Sequence, residues 1–147
     1  MDDTSEYEGE SQTEVIEGTF PILNRLAQVL LDPGSSHSYI ETHFVNESMV
    51  KAEKLPYVLE VGTPTTNIAL RANTVYKDCR VDIQGENYPA DVVTLRLQGY
   101  DAILGMDWLA KYDAQLNCRE KIVTVRMPGK PKVKVKLKGR RAELPDS

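Results

Sequence analysis

At 147 residues, with 41% hydrophobic side chains and a formal net charge of −4, the chain has room for one domain with polar ends. No apolar run reaches the ~20 residues a membrane span needs, and Cys79 and Cys118 have neither a CxxC partner nor a histidine at zinc spacing. A membrane and a metal are therefore not expected, and two cysteines without a secretory leader pattern point to an intracellular, cytoplasmic location.

The first 17 residues hold seven acidic side chains (Asp2, Asp3, Glu6, Glu8, Glu10, Glu14, Glu17) and no basic one. Such a segment repels itself and has little to bury, so residues 1–17 are read as a disordered acidic tail. Residues 19–23 and 26–31 are apolar runs on either side of Asn24-Arg25, which is the pattern of a hairpin. The second run leads directly into Asp32-Pro33-Gly34-Ser35. Ser38 and Glu41 make a capping-box pattern, and Ile40 and Phe44 then share a face of a short helix ending near Ser48.

Residues 57–61 and 68–72 flank Gly62-Thr63-Pro64-Thr65-Thr66-Asn67, a second hairpin with a polar tip. Residues 79–83 alternate, Gly85-Glu86-Asn87 turns, and residues 90–97 return as a third. Residues 100–104 form a short strand that stops at Gly105. Asp107 is placed to cap a brief helix through Tyr112, burying Trp108 and Tyr112 together. Residues 114–117 and 122–126 are the last regular strands. Eight basic residues follow from Arg126 to Arg141, with lysines at 132, 134, 136 and 138 alternating with apolar residues. Residues 128–147 are read as a basic linker whose period of two would also suit an edge strand in a dimer. Short strands, frequent turns and one or two short helices make residues 18–127 an all-β domain, a small barrel or sandwich.

Asp-Pro-Gly is first a turn signal, since proline presets φ at one corner and glycine accepts a positive φ at the next. Its setting narrows the reading: a strand before it, Ser35-Ser36 after it, and Ile103-Leu104-Gly105 about seventy residues on. In Val29-Leu30-Leu31-Asp32-Pro33-Gly34-Ser35-Ser36-His37-Ser38-Tyr39-Ile40, in Tyr88-Pro89-Ala90-Asp91 and in Tyr100-Asp101-Ala102-Ile103-Leu104-Gly105-Met106-Asp107-Trp108-Leu109, the chain resembles the retropepsin-like aspartic proteases of plant Ty3/gypsy-type retrotransposon polyproteins. Met127-Pro128-Gly129 looks like that family's exit from the protease. The resemblance spans about residues 15 to 130, and its Leu-Gly-Met-Asp-Trp-Leu stretch is far more specific than Asp-x-Gly.

The resemblance implies a closed β-barrel of the acid-protease fold, one lobe per subunit, with Asp32 as the catalytic aspartate. Pro33, Gly34, Ser35 and Ser36 would form the active-site loop, Ile103, Leu104 and Gly105 its support, and Val61, Gly62, Thr63 and Pro64 the flap. The chain carries one Asp-x-Gly turn, so a homodimer would supply the second carboxylate, and the substrate would be a polyprotein segment. No cofactor or metal is required. Pro33 departs from the familiar Asp-Ser-Gly or Asp-Thr-Gly form, having neither a hydroxyl nor an N–H to tie the two loops together. Ser35 and Ser36 are the nearest hydroxyls that would stand in. Two other readings stay open: a catalytically impaired dimerisation or peptide-binding domain of the same fold, and weak nucleic-acid contact through the basic tail.

Overall fold

The computed structural model describes residues 15–45, 50–61 and 70–139. β1 (Ile16–Ile22) and β2 (Arg25–Leu31) form the expected first hairpin, in register from Ile16 opposite Leu31 to Ile22 opposite Arg25. Leu23 and Asn24 turn it with φ of 55° and 66°, the two positive values that match a two-residue turn to strand twist. Alternation then buries Ala27, Val29 and Leu31 on one face.

Four further strands join these two: β3 (Tyr39–Glu41), β4 (Ala52–Val61), β5 (Leu70–Cys79) and, beyond the small pair β6 (Asp82–Ile83) and β7 (Glu86–Asn87), β8 (Ala90–Leu95). With β9 (Ala102–Leu104) they make a seven-stranded sheet in the order β1-β2-β9-β3-β8-β5-β4. The β2·β9 and β3·β8 pairs are parallel and the rest are antiparallel. One short helix, α1 (Met106–Lys111), follows β9, and β10 (Gln115–Asn117), β11 (Ile122–Val125) and β12 (Val133–Lys136) form a three-stranded sheet.

The larger core lies on one face of the main sheet. Val29, Leu31, Ile40, Val92 and Leu104 meet Trp108, Tyr112, Val123 and Val125 there. Trp108 and Tyr112 are buried together, as expected, with ring centroids 5.4 Å apart. Their polar tips are satisfied, because Trp108 Nε1 donates to Tyr88 O and Tyr112 Oη to Pro89 O, each at 2.9 Å. A smaller cluster of Tyr39, Ala72, Val75, Val93 and Leu95 occupies the opposite face, with Ile103 packed against it.

Five sequence expectations need correction. The helix expected over residues 38–48 is not present in its described part: residues 39–41 are β3, held between β9 and β8. The Ser38 hydroxyl is engaged elsewhere, and Glu41 accepts hydrogen bonds from the Leu97 and His43 amides instead of completing a capping box. The third hairpin is shorter than expected. β6 and β7 turn through Gln84 and Gly85, with φ of 52° and 84°, while residues 90–95 pair with β5. β4 and β5 are longer than expected, and their register shifts between Lys54 and Leu59, where Pro56 sits without an N–H to offer a ladder.

The expected barrel is not closed by strand pairing among the described residues, since β1 and β4 end the sheet order, with only an Ile22–Val81 bridge beyond β1. Finally, the basic segment contributes a strand. Val133 and Val135 of β12 turn inward against β11, Leu137 is 6% exposed, and the alternating lysines face solvent. Three apolar residues at period two are enough to seat it. Among the described residues no helix is long and apolar enough to cross a membrane.

Candidate active site

β2 delivers Asp32 at its end. The parallel pairing of Val29, Leu30 and Leu31 with Ala102, Ile103 and Leu104 sets the height of the loop, and the Asp32 amide continues it by donating to Leu104 O at 2.9 Å. The chain then turns, Ser35 N donating to Asp32 O at 3.1 Å. Pro33 fits the first corner of this turn because no backbone donor is needed there. Gly34 is not used for a positive φ. Its role is space: a Cβ on Gly34 would lie 3.2 Å from Asp32 Oδ1, and the Gly34 N–H donates to that same oxygen at 2.9 Å. The half-buried Asp32 carboxylate is thus held by its own turn, with its second oxygen left for other partners.

Ser35 and Ser36 turn to neighbours within the chain. Ser35 Oγ donates to His37 O at 2.8 Å, and Ser36 Oγ lies 2.9 Å from His37 Nδ1. Tyr39, buried at 6% exposure, lies behind them with its ring 6.5 Å from that of His37. Burial, opposed by a hydrogen bond with Ser35 and reinforced by the Asp107 charge, holds the Tyr39 phenol above its usual range.

The support segment divides its work. Leu104 is fully buried behind the loop, Ile103 points to the opposite face of the sheet, and Gly105 makes the closest approach. A Cβ at Gly105 would stand 2.3 Å from His37 O and 2.6 Å from Ser35 O. Gly105 also occupies the N-cap of α1 with no side-chain cap, so the expected capping role of Asp107 is corrected. Asp107 sits in the first turn, where its Oδ1 accepts from Trp108 N at 2.8 Å and from Ser38 Oγ at 2.7 Å. Asp101 and Asp91 satisfy backbone amides, of Gln28 and Asp78 respectively.

Val61 ends β4 opposite Leu70, while Gly62, Thr63 and Pro64 lie outside the described residues. Two surface grooves, of about 500 and 270 Å³, are lined by other residues and neither includes Asp32. Sequence reasoning gave both Ser38 and Asp107 helix-capping tasks, whereas the two side chains bond to each other. Ser38 is the one polar side chain buried among the described residues, and nothing in a Ser-Tyr-Ile tripeptide announces that.

An all-β chain with one short helix, an aspartate at a strand end and a glycine-backed support strand together match a retropepsin-like fold. A family model described as retroviral aspartyl protease matches residues 2–130, and the chain belongs to that family. Among solved structures, the retroviral protease-like domain of Ddi1 from Leishmania major is similar to it. The TM-score is 0.53 at 15% identity, with 81% of this chain and 94% of that one covered. None of the curated proteins compared matches this chain.

Proposed function

We propose that this chain is one half of a homodimeric aspartic endopeptidase, in which Asp32 from each copy forms the catalytic pair. The observation that carries this reading is the Asp32 carboxylate itself: placed by the Leu104 carbonyl, oriented by the Gly34 amide, and left with one oxygen unclaimed by its turn. Two carboxylates about 3 Å apart cannot both ionise cheaply and share one proton. The ionised member takes a proton from a bound water, the resulting hydroxide adds to the peptide carbonyl carbon, and the protonated member gives its proton to the carbonyl oxygen. Collapse of the tetrahedral intermediate breaks the C–N bond and returns a proton to the amine. The β4–β5 hairpin serves as the flap that excludes water, the role the family resemblance implies for Val61, Gly62, Thr63 and Pro64.

The substrate is an extended polypeptide with apolar residues at the scissile bond, within a retrotransposon polyprotein of the plant Ty3/gypsy kind that the motifs resemble. An intracellular setting keeps Cys79 and Cys118, both free thiols, reduced. Incubation with a peptide library between pH 4 and 7 is the test, beside Asp32→Asn. Cleavage is expected for the unaltered chain and lost in the variant while dimerisation persists; equal cleavage by both ends the proposal.

A second reading is favoured by Pro33, which offers no hydroxyl across a dimer while Ser35 and Ser36 are engaged within their own chain. It describes a dimer that binds peptides without cutting them. A transition-state mimic that binds the dimer, together with measurable turnover, removes this reading.

A further inference from the structure

We infer that Ser38 and Asp107 form a positioning clamp for the Asp32 loop, supplying within each chain a hold on that loop that Pro33 cannot make across a dimer; this rests on the reading of Asp32 as catalytic. The loop between β2 and β3 is fixed at its start by Asp32 N to Leu104 O (2.9 Å) and near its middle by Met106 N to Ser35 O (2.7 Å). Its far end is held by the Val93 N–H donating to Ser38 O at 3.0 Å and, toward Gly105, by the Ser38 hydroxyl. Ser38 Oγ accepts the Gly105 N–H at 3.0 Å and donates its proton to Asp107 Oδ1 at 2.7 Å. That donation leaves a lone pair of the hydroxyl facing Gly105, so the carboxylate decides which way the serine points. Asp107 is in turn held by Trp108 N at 2.8 Å, on a helix whose Trp108 is 2% exposed in the core.

The path from core to catalytic turn is short. Trp108 anchors Asp107, Asp107 orients Ser38, Ser38 binds Gly105, and Gly105 lies against Ser35 O and His37 O, where no larger residue fits. Ser35 closes the turn back onto Asp32 O at 3.1 Å. A buried hydroxyl with both its donor and its acceptor capacity used holds geometry well, and losing it strands a buried N–H. Titratable groups facing the clamp are Tyr39, which senses the Asp107 charge, and His37, which is tied to Ser36.

The test exploits the coupling between two like carboxylates. The closer and more rigid the pair, the further apart its two titration steps, and the wider the pH range in which one proton is shared. Ser38→Ala is expected to lower kcat per active site about 10- to 100-fold, the cost of a misplacement near 1 Å, and to narrow the bell-shaped pH profile from both sides. Active sites are counted by titration with a transition-state mimic. A role confined to folding lowers the number of sites and leaves both kcat per site and profile width unchanged, which would overturn the inference. Ser38→Thr and Asp107→Asn keep the hydroxyl and the acceptor oxygen respectively, and are expected to recover most of the width, whereas Asp107→Ala is not.

The same separation is readable without turnover, from the Asp32 carboxyl ¹³C signals of the dimer as pH is varied. Two well-separated steps in the unaltered chain that converge in Ser38→Ala support the clamp; equal separation in both refutes it. A single step in the unaltered chain, or cleavage surviving Asp32→Asn, removes the catalytic reading and the clamp with it. Asp32→Asn dead with Ser38→Ala unchanged removes the clamp alone.

Discussion

Gly105→Ala isolates one contact. The backbone of Gly105 has φ −101° and ψ −165°, an extended conformation open to any residue, so the substitution carries no torsional penalty. The whole effect is steric. The new methyl would lie 2.3 Å from His37 O and 2.6 Å from Ser35 O, against a limit near 3.0 Å. Both obstacles are backbone atoms between β2 and β3, and relieving the closer contact needs a shift of at least 0.7 Å (3.0 minus 2.3). Overpacking of this kind costs about 1–3 kcal/mol. Moving the loops apart also weakens the buried Gly105 N to Ser38 Oγ bond, adding about 1–3 kcal/mol for a stranded donor.

The sum, about 2–6 kcal/mol, is a large share of the roughly 5–15 kcal/mol that stabilises a small domain. With a urea m value of about 2 kcal/mol/M, the unfolding midpoint falls by on the order of 1–3 M. The single tryptophan, Trp108, reports the transition from three residues away. A midpoint within about 0.3 M of the unaltered chain at an unchanged m value would refute the reasoning. So would an equal loss from Gly34→Ala, whose methyl meets only the Asp32 carboxylate, at 3.2 Å.

Gly34→Ala is therefore expected to keep most of the stability and to lose peptide cleavage, read from the urea midpoint and the peptide assay side by side. Leu137→Ala should destabilise by about 2–5 kcal/mol, because Leu137 is buried against Gly18; a solvated linker would register no change on unfolding. Burial lifts the Cys79 thiol to about 12, with the Asp91 and Asp78 charges adding to it. A thiol reagent at neutral pH should accordingly label Cys118 in the native state and Cys79 only after denaturation. Because the folded thiol ionises later than the unfolded one, near 9, its contribution is intact below pH 9 and declines between about pH 9 and 12; a Cys79→Ser variant flattens that decline in urea titrations. At Glu41, burial is outweighed by the Leu97 and His43 amides and by Arg96, which hold the carboxyl below its usual range. That stability is present above the ordinary glutamate value of 4.5 and lost as pH falls through the lower folded value. The stability gap between Glu41→Gln and the unaltered chain should therefore shrink in acid.

Strands were legible where the residues obey a period of two and one face is buried, as in β1, β2 and β11. The residues around Asp32 were legible because their motif is local. What sequence could not convey was tertiary competition for a side chain. Ser38 and Glu41 have the spacing of a capping box, yet Ser38 is claimed by Gly105 and Asp107, far along the chain, and Tyr39 and Ile40 fill a slot between two strands. The extent of β4 was hidden by Pro56 and the register shift around it. β12 was obscured by charge, since Lys132-Val133-Lys134-Val135-Lys136 reads as a solvated run until the three-stranded sheet presents an edge for it.

That last strand has a bearing on how the protein behaves in crowded solution. Among the described residues β12 ends its sheet, and a bare strand edge invites another chain to continue the ladder. Lys132, Lys134, Lys136 and Lys138 are exposed along it, so a second copy arriving edge to edge would bring its own row of ammonium groups against them. The alternation that seats three apolar residues inward thus also sets a row of like charges against edge-to-edge pairing. Acetylation of these lysines would remove that charge and leave Val133, Val135 and Leu137 turned inward.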